Sequence, residues 1–289
     1  MDSLKGVGVA LITPFKDSGR VDYDGLERVL AYTANGNVDY YVVMGTTAEA
    51  PTMLHQEKMD VLRFVKKNNS RNLPIVYGLG GNCTASMVDK FHSMDEEVDA
   101  FLSVSPAYNK PSQLGITKHY EAIADAAKAP IILYNVPGRT ASNLLAETTL
   151  ALADHPNIIG IKEASGSLAQ CKEIAAKMPK DFMLISGDDM LTFDMIKAGA
   201  SGIISVIANA LPKQFSSMVH DALAGVEPME SDKTRMQNFD DMIMGECNPS
   251  GVKSALKHLG LCSDDMRLPL TSVTSELDNE IKQFINNEN

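Results

Sequence analysis

The sequence lacks several features that would point to common classes of protein. It has only four cysteines, Cys83, Cys171, Cys247 and Cys262, with no C-x-x-C pair and no histidine at ligand spacing. This pattern indicates neither a disulfide framework nor a zinc site. No apolar run reaches the ~20 residues that a membrane helix needs, and no basic-then-apolar leader opens the chain. We therefore expect a soluble cytoplasmic protein that has no membrane partner.

Positive charge is also scarce. The chain has 26 basic and 37 acidic residues, which gives a net charge of −11. Its densest basic segment is Arg63, Lys66, Lys67 and Arg71, which reads as the solvated end of a helix. Because phosphate backbones are bound by basic surfaces, we expect no nucleic-acid partner. A small anion bound in a local site stays compatible with this composition.

What the sequence does contain is a repeated alternation of short apolar runs and longer amphipathic ones. The apolar runs are rich in Val and Ile and are bounded by Gly, Pro, Asp or Asn, as buried parallel strands are. They cover residues 6–14, 40–45, 73–80, 99–106, 130–137, 157–164, 182–189 and 201–209. Helical stripes lie between them, such as Met59, Leu62 and Val65. Eight strand–helix units in about 225 residues predict an α/β fold, a (β/α)8 TIM barrel.

The rhythm changes after Gly225, where only helical patterns follow. We therefore predict two regions, a catalytic barrel over 1–225 and a small C-terminal all-helical appendage over 226–289. A doubly wound dinucleotide-binding sheet is the alternative for alternating strands and helices. The segment 78–82, GLGGN, is the nearest match to its glycine-rich turn, but it lacks the full G-x-G-x-x-G pattern. We therefore discount a dinucleotide cofactor.

Polar residues follow six of the predicted strands at the carboxyl ends, where barrels of this kind carry their chemistry. Together they supply two hydroxyls, two phenols, a guanidinium and an amine, with no set of metal ligands. The segments are 45–49 (GTTAE), 106–110 (PAYNK), 134–140 (YNVPGRT), 162–163 (KE), 186–189 (SGDD) and 205–209 (SVIAN). Each alone is a plausible turn or helix cap, with Asp188 and Asp189 reading as a cap. The combination indicates metal-free covalent chemistry.

Lys162 is the candidate nucleophile. It follows Ile159 and Ile161 in the sixth apolar run, so we expect its amine inside the barrel rather than in bulk water. Desolvation favours the neutral amine and would lower the pKa of Lys162 from its usual value of about 10.4. A neutral amine attacks a ketone to form a carbinolamine and then an imine. Tyr134 is placed to shuttle the proton, and the competing Lys110 should be exposed in its loop.

Six of these segments resemble the dihydrodipicolinate synthases (4-hydroxy-tetrahydrodipicolinate synthases) in order and spacing. They are GTTAEAPTM, SPAYNKPSQ, ILYNVPGRT, GIKEASGS, SGDD and GIISVIAN, and the likeness covers about residues 5–225. The resemblance implies a cofactor-free lyase of the class I aldolase type. It would condense pyruvate with L-aspartate 4-semialdehyde to give 4-hydroxy-tetrahydrodipicolinate, the first committed step of diaminopimelate and lysine biosynthesis.

The resemblance also implies a role for each site residue. Lys162 would form the Schiff base and Tyr134 would transfer protons, linked through Thr46 to Tyr108 in a relay. The family lends the second tyrosine from a neighbouring subunit, so Tyr108 would act across a tight dimer interface in a homotetramer, a dimer of dimers. The residues implied to bind substrate are Thr47 and the backbone of Ile204 for the pyruvate carboxylate, Arg139 for the carboxylate of aspartate semialdehyde, and Gly187.

One departure concerns feedback control. Relatives that lysine inhibits carry a tyrosine, a histidine and a glutamate at the effector site, and here those positions read Ala107, Lys58 and Ser86. His55 and Asn82 of that site remain. We hypothesise that lysine inhibits this enzyme weakly or not at all.

Three rival functions remain open. N-acetylneuraminate lyases and 2-keto-3-deoxy sugar acid aldolases share the lysine, the tyrosine and the threonine pair, but a sugar acceptor does not call for a cation at Arg139. A catalytically silent barrel would lose the lysine or the tyrosine, and both are present. A phosphate-binding isomerase would have glycine-rich turns after the last two strands, where SGDD places acidic side chains instead.

Overall fold

The computed structural model describes residues 2–288. Its eight parallel strands close into a barrel in the order in which they occur along the chain. The strands are β1 (Gly6–Ala10), β2 (Tyr40–Val43), β3 (Ile75–Gly78), β4 (Ala100–Val104), β5 (Ile131–Asn135), β6 (Ile158–Glu163), β7 (Met183–Ser186) and β8 (Gly202–Ser205). Each strand lies within one of the eight apolar runs, so the predicted (β/α)8 barrel is confirmed.

The helices also follow the predicted alternation. The stripe of Met59, Leu62 and Val65 is buried on one face of its helix, because residues three apart lie on the same side. The helices are α1 (Tyr23–Asn35), α2 (His55–Asn68), α3 (Thr84–His92), α4 (Gln113–Ala126), α5 (Pro137–Thr140), α6 (Ala146–Leu152), α7 (Leu168–Lys177), α8 (Thr192–Ala198), α9 (Pro212–Leu223), α10 (Glu230–Met244), α11 (Ser250–His258) and α12 (Ser275–Glu288).

One compact unit contains Pro74–Ile204 together with the N-terminal segment. Its strands pair in parallel, with Leu133 on β5 opposite Ile161 on β6, and Ile161 opposite Leu184 on β7. All three side chains are completely buried, as expected for strands with both faces covered. Burying an aliphatic side chain of this size contributes about 1.5–3 kcal/mol, so this row is a main source of stability for the β5–β7 sheet.

The other compact unit contains Gly6–Leu73 and the chain from Ser205 onward. In this unit β1 pairs with β2, and Gly8 lies against the ring of Tyr40, where an added Cβ would be only 2.2 Å from the ring. The C-terminal helices pack on one another through the stacked rings of Phe239 on α10 and Phe284 on α12, 4.9 Å apart. Within the described residues no strand follows β8, so the region after 225 is helical as predicted. The boundary at 225/226 itself stays a prediction.

Two further properties concern the described part of the chain as a whole. Within residues 2–288, no helix is both long enough and apolar enough to cross a membrane. Over the same range, no group of three or more His, Cys, Asp or Glu side chains is placed to hold a metal ion. All four cysteines are free thiols, and burial raises the pKa of both Cys171 and Cys262 to about 12. Neither buried thiol is therefore a nucleophile at neutral pH.

Candidate active site

Lys162 and Tyr134 lie side by side on adjacent strands. The two residues are register partners in the β5–β6 pair, and both are buried, with 6% and 8% of their surface exposed. The Nζ atom of Lys162 lies 4.7 Å from the centroid of the Tyr134 ring. No carboxylate or hydrogen-bond acceptor among residues 2–288 binds this amine. The predicted burial of Lys162 is confirmed, and its amine lies over the ring of Tyr134.

Glu163, the residue after Lys162, fixes the end of β6 through hydrogen bonds. Because successive side chains of a strand point to opposite faces, Glu163 lies on the face away from Lys162. Its carboxylate is 1% exposed and accepts hydrogen bonds from Asn135 Nδ2 (2.9 Å), Gln170 Nε2 (2.9 Å) and the backbone N of Ser165 (2.7 Å). These bonds tie β5, β6 and α7 together. They fix the register that sets Tyr134 beside Lys162.

Gly187 lies directly after β7. Because it has no side chain, there is room beside it for the side chain of Lys162. A Cβ atom at this position would come within 2.9 Å of Lys162 Cε and 2.6 Å of Ala164 Cβ. The backbone N of Gly187 donates to the carbonyl of Glu163 at 2.8 Å. Any larger residue would therefore displace the lysine or the neighbouring strand. Gly187, expected to bind substrate, contacts the candidate nucleophile.

Two other expected features of this unit lie near the ends of β7 and β8. Ile204 is on β8 and is almost completely buried. Asp188 Oδ1 accepts hydrogen bonds from the backbone N of Met190 (3.1 Å) and of Leu191 (2.9 Å), just before α8 begins. The helix cap predicted for the acidic pair is wrong for α8, whose N-cap residue is Leu191 with no side-chain hydrogen bond, and Asp188 instead bonds the turn that precedes the helix.

Tyr108 and Arg139 differ from the residues above because both are exposed. Tyr108 is 90% exposed, with a left-handed backbone (φ 72°), and its N donates to the carbonyl of Thr140 at 3.1 Å. Arg139 lies on the short helix α5, and no hydrogen bond or ion pair within residues 2–288 engages its guanidinium. A free guanidinium suits a substrate carboxylate, which it can bind in a bidentate way. Lys110 is exposed, as predicted.

In the other unit, Thr46 and Thr47 lie in a strained turn after β2. Residues Thr46–Ala48 form a short 3-10 helix, flanked by Met44 (φ 62°) and Glu49 (φ 56°) in the left-handed region. Such a conformation costs about 1–3 kcal/mol for a residue other than glycine and persists only where its surroundings enforce it. The hydroxyl of Thr47 is buried and accepts a hydrogen bond from Asn248 Nδ2 at 3.2 Å.

Glu49, at the end of this turn, forms a buried ion pair with Lys253 of α11. Both side chains are fully buried, and the Nζ–Oε1 distance is 2.5 Å. Lys253 also donates to the carbonyl of Asp265 (2.9 Å), and Glu49 Oε2 accepts from the backbone N of Arg267 (3.1 Å). Burial lowers the pKa of Lys253, and the Glu49 carboxylate offsets part of that shift. The C-terminal helical region is therefore bonded to this turn.

Comparison with known proteins identifies the family of the chain. The model of the Dihydrodipicolinate synthetase family matches residues 3–288. The chain belongs to this family. It is 48% identical over 287 residues to a 4-hydroxy-tetrahydrodipicolinate synthase of Flavobacterium psychrophilum, covering 98% of each chain.

Solved structures of family members match as well. The chloride-inhibited dihydrodipicolinate synthase from Acinetobacter baumannii, complexed with pyruvate, has a TM-score of 0.94 and 35% identity, with 98% of each chain covered. A monomeric dihydrodipicolinate synthase variant has a TM-score of 0.93 and 32% identity, covering 98% of this chain and 96% of its own. The dihydrodipicolinate synthase resemblance inferred from the motifs is confirmed.

Within this family member, the structure brings together part of the predicted site in each unit. Lys162, Tyr134 and Gly187 form one contact group, and Thr47 forms another with Asn248. Sequence reasoning missed Asn248 and Lys253. The apolar residues Val252, Ala255 and Leu256 around Lys253 are a sequence signal that this lysine is buried, but they do not identify its partner.

Proposed function

We propose that this protein condenses pyruvate with L-aspartate 4-semialdehyde through an imine on Lys162. Members of the Dihydrodipicolinate synthetase family are class I aldolases that use a lysine Schiff base in place of a cofactor, and the product is 4-hydroxy-tetrahydrodipicolinate. The observation that supports Lys162 most strongly is its burial beside Tyr134, with no carboxylate within residues 2–288 bound to its amine. An amine in this environment is a nucleophile rather than one half of a salt bridge.

In the proposed mechanism the Lys162 amine attacks the ketone carbon of pyruvate. Tyr134 gives a proton to the carbinolamine oxygen, which leaves as water as the imine forms. The iminium group then withdraws electrons from the methyl carbon, and loss of one methyl proton gives the enamine.

The enamine carbon next forms a bond to the aldehyde carbon of the second substrate, whose oxygen takes up a proton. The amino group of that substrate then attacks the imine carbon and displaces Lys162 as the ring closes. This transfer frees the enzyme without hydrolysis of the imine. Thr46 is proposed to carry protons between Tyr134 and Tyr108 throughout the cycle.

Both substrates carry carboxylates, and we assign a different group to each. Thr47 and the backbone of Ile204 bind the pyruvate carboxylate. The exposed guanidinium of Arg139, which has no ion-pair partner in the part of the chain that the structure describes, takes the carboxylate of the semialdehyde, with Gly187 contributing to the substrate site. The buried position of Thr47 supports its role, because a hydroxyl that is shielded from water binds an anion more strongly.

The assembly that we propose is a homotetramer, a dimer of dimers, in which Tyr108 acts in the partner's site. Its 90% exposure in the single chain supports this role, and so do the exposed apolar side chains Leu114 (65%) and Leu145 (44%) of the same unit. Burial of these side chains against a second subunit would remove their apolar surface from water. The four free cysteines fit the reducing cytoplasm, where we propose that the enzyme works.

Subunit complementation tests the sharing of Tyr108. The variants Tyr108→Phe and Lys162→Ala should each be nearly inactive alone. When the two are unfolded and refolded together, mixed dimers contain one site that has both intact residues, so activity should return. Mixtures that stay inactive, although gel filtration shows mixed assemblies, would contradict the proposal.

Weak or absent inhibition by lysine stays part of the proposal. Asn82, which remains from the effector site, already accepts a hydrogen bond from the backbone N of Ala107 at 2.8 Å. Half-maximal inhibition at sub-millimolar lysine would contradict this part of the proposal.

The proposed reaction is tested by an acceptor panel with pyruvate held constant. Aspartate semialdehyde should be consumed rapidly, whereas N-acetylmannosamine and glyceraldehyde should give little product, because neither carries a carboxylate for Arg139. An Arg139→Met variant should lose its preference for the semialdehyde. Faster turnover of either sugar acceptor by the unaltered enzyme would reassign it to the sugar-acid lyases.

A further inference from the structure

We infer that the buried Glu49–Lys253 ion pair is a positioning device that holds the Thr46–Thr47 turn in the shape that binds the pyruvate carboxylate. This inference rests on the proposed function, because it assumes that Thr47 binds pyruvate. Neither residue touches the substrate in this account. They act through the backbone of the turn.

The turn that carries Thr46 and Thr47 has a strained backbone. Two residues other than glycine, Met44 and Glu49, bracket it in the left-handed conformation. A chain free to relax would leave this conformation, so something must hold it. Glu49 is itself one of the two strained residues, and its carboxylate is fixed by Lys253 Nζ and by the backbone N of Arg267.

The start of α11 and the residues just before it also bond the hydroxyl of Thr47, the group proposed to bind pyruvate. Asn248 precedes α11 by two residues and donates to Thr47 Oγ1, while Lys253 lies within α11. Because Thr47 Oγ1 accepts this bond, its own hydrogen is available to donate to a carboxylate. Asn248, just before α11, therefore orients the Thr47 side chain, and the Glu49–Lys253 pair fixes the backbone at the end of the same turn.

Stability alone does not explain the Glu49–Lys253 ion pair. An ion pair with both members fully buried is commonly no more stabilising than apolar residues of the same size. What it does provide is one defined distance and direction, which an apolar contact does not. Such directionality is useful where a hydroxyl must be held in one orientation.

The test compares Lys253→Met with Lys257→Met, a matched change on the same helix. Lys257 pairs with Asp264 and Asp278 and has no bond to the turn. We expect Lys253→Met to raise the KM for pyruvate about tenfold, the contribution of one hydrogen bond to a charged group. The KM for the semialdehyde should be unchanged. Lys257→Met should change neither, and Lys253→Arg, which keeps the charge, should restore most of the pyruvate affinity.

If Lys253→Met does not fold, the double variant Glu49→Gln with Lys253→Met removes both charges and should fold. It should show the same rise in the KM for pyruvate. An unchanged KM for pyruvate in a folded variant, or equal increases in both KM values, would overturn the inference. Borohydride trapping of pyruvate by the unaltered enzyme is run in parallel. Failure of that trapping refutes the proposed function, whereas normal trapping with unaffected variants refutes only the positioning role.

Discussion

Two lysines, Lys162 on β6 and Lys253 on α11, share two features of their surroundings and differ in a third. Both are buried, and the Nζ atom of each lies over an aromatic ring, 4.7 Å from the ring centroid of Tyr134 for Lys162 and 4.4 Å from that of Phe15 for Lys253. Lys253 also has a carboxylate and a carbonyl within hydrogen-bond distance, whereas no such group within residues 2–288 binds Lys162. The neutralised lysine supports the fold, and the lysine without a counter-charge is left for chemistry.

The difference arises from where the neighbouring carboxylates point. Glu163 is adjacent to Lys162 in sequence, but strand alternation turns it to the opposite face, where amide and backbone donors satisfy it. Glu49 is 204 positions from Lys253 in sequence, and the fold brings the two into contact. A nearby acidic residue in the sequence therefore does not reveal which lysine is paired.

The largest expected effect comes from removing the lysine that has no counter-charge. Lys162→Ala should lower the condensation rate by about 10⁴-fold or more, because it eliminates the nucleophile itself. Steady-state kinetics measures the loss, and Lys110→Ala, an exposed lysine in the same unit, is the control that should keep full activity. Substantial activity without the Lys162 amine would remove the distinction between the two lysines.

The role of the Tyr134 hydroxyl can be tested without changing the packing of the ring beside Lys162. Tyr134→Phe keeps the aromatic face and removes only the hydroxyl, so activity should fall by about 10³-fold through loss of proton transfer. Tyr41→Phe is the matched control, a buried tyrosine whose hydroxyl donates to the carbonyl of Leu30 at 3.0 Å. It should cost about 1 kcal/mol of stability and leave the rate unchanged. Equal rates for the two variants would show that Tyr134 only packs.

The paired lysine should affect stability more strongly than the one without a carboxylate. Lys253→Met leaves the Glu49 carboxylate buried without its cation and should lower the free energy of unfolding by about 3 kcal/mol. Adding Glu49→Gln should recover much of that loss, because no buried charge remains. Denaturant titration measures both variants. Equal stabilities for the single and double variants would argue that the pair is not coupled.

The space around Lys162 is tested at Gly187. In Gly187→Ala the new methyl group would overlap Ala164 and the lysine side chain, so activity should fall by about 10²-fold, as a displacement of about 1 Å in a catalytic group can cause. Gly115→Ala on α4 is the control, since its nearest neighbour would be 3.4 Å from an added Cβ. Full activity in the Gly187 variant would mean that the lysine tolerates displacement.

The smallest effect concerns a partly exposed pair, His220 and Asp39, 2.7 Å apart. The hydrogen bond with Asp39 raises the pKa of His220 above its usual value of 6.5. Its contribution to stability should be complete below about pH 6.5 and should disappear as the pH rises through the raised value, a change of under about 1 kcal/mol. The free energy of unfolding should be measured from below pH 6.5 to above the raised pKa of His220. Its decrease over this pH range should be absent in His220→Gln. An identical slope in both proteins would assign the pH dependence to other groups.

The sequence was sufficient to predict the barrel because each strand must be apolar on both faces and each helix on one. It predicted strands that were too long, because buried turns at the carboxyl ends are as apolar as strands. Residues 207–209, for example, extend the apolar run of β8 but form a 3-10 helix. The burial of Lys162 was predictable for the same reason, from the isoleucines beside it.

The parts of the site that depend on distant contacts were not predictable. The Asn248–Thr47 bond joins residues 201 positions apart, and no local pattern marks either residue as the partner of the other. Similarly, the positive φ of Met44 and Glu49 is imposed by the packing of the chain and not by glycine. Such contacts are set by the completed fold.

The most direct test of the central claim is borohydride reduction in the presence of pyruvate, followed by peptide mass mapping. We expect one reduced pyruvate adduct, on Lys162, with none on Lys253 and none in Lys162→Ala. An adduct on another lysine, or no adduct in an enzyme that still turns over, would contradict the claim that the buried lysine without a counter-charge is the nucleophile.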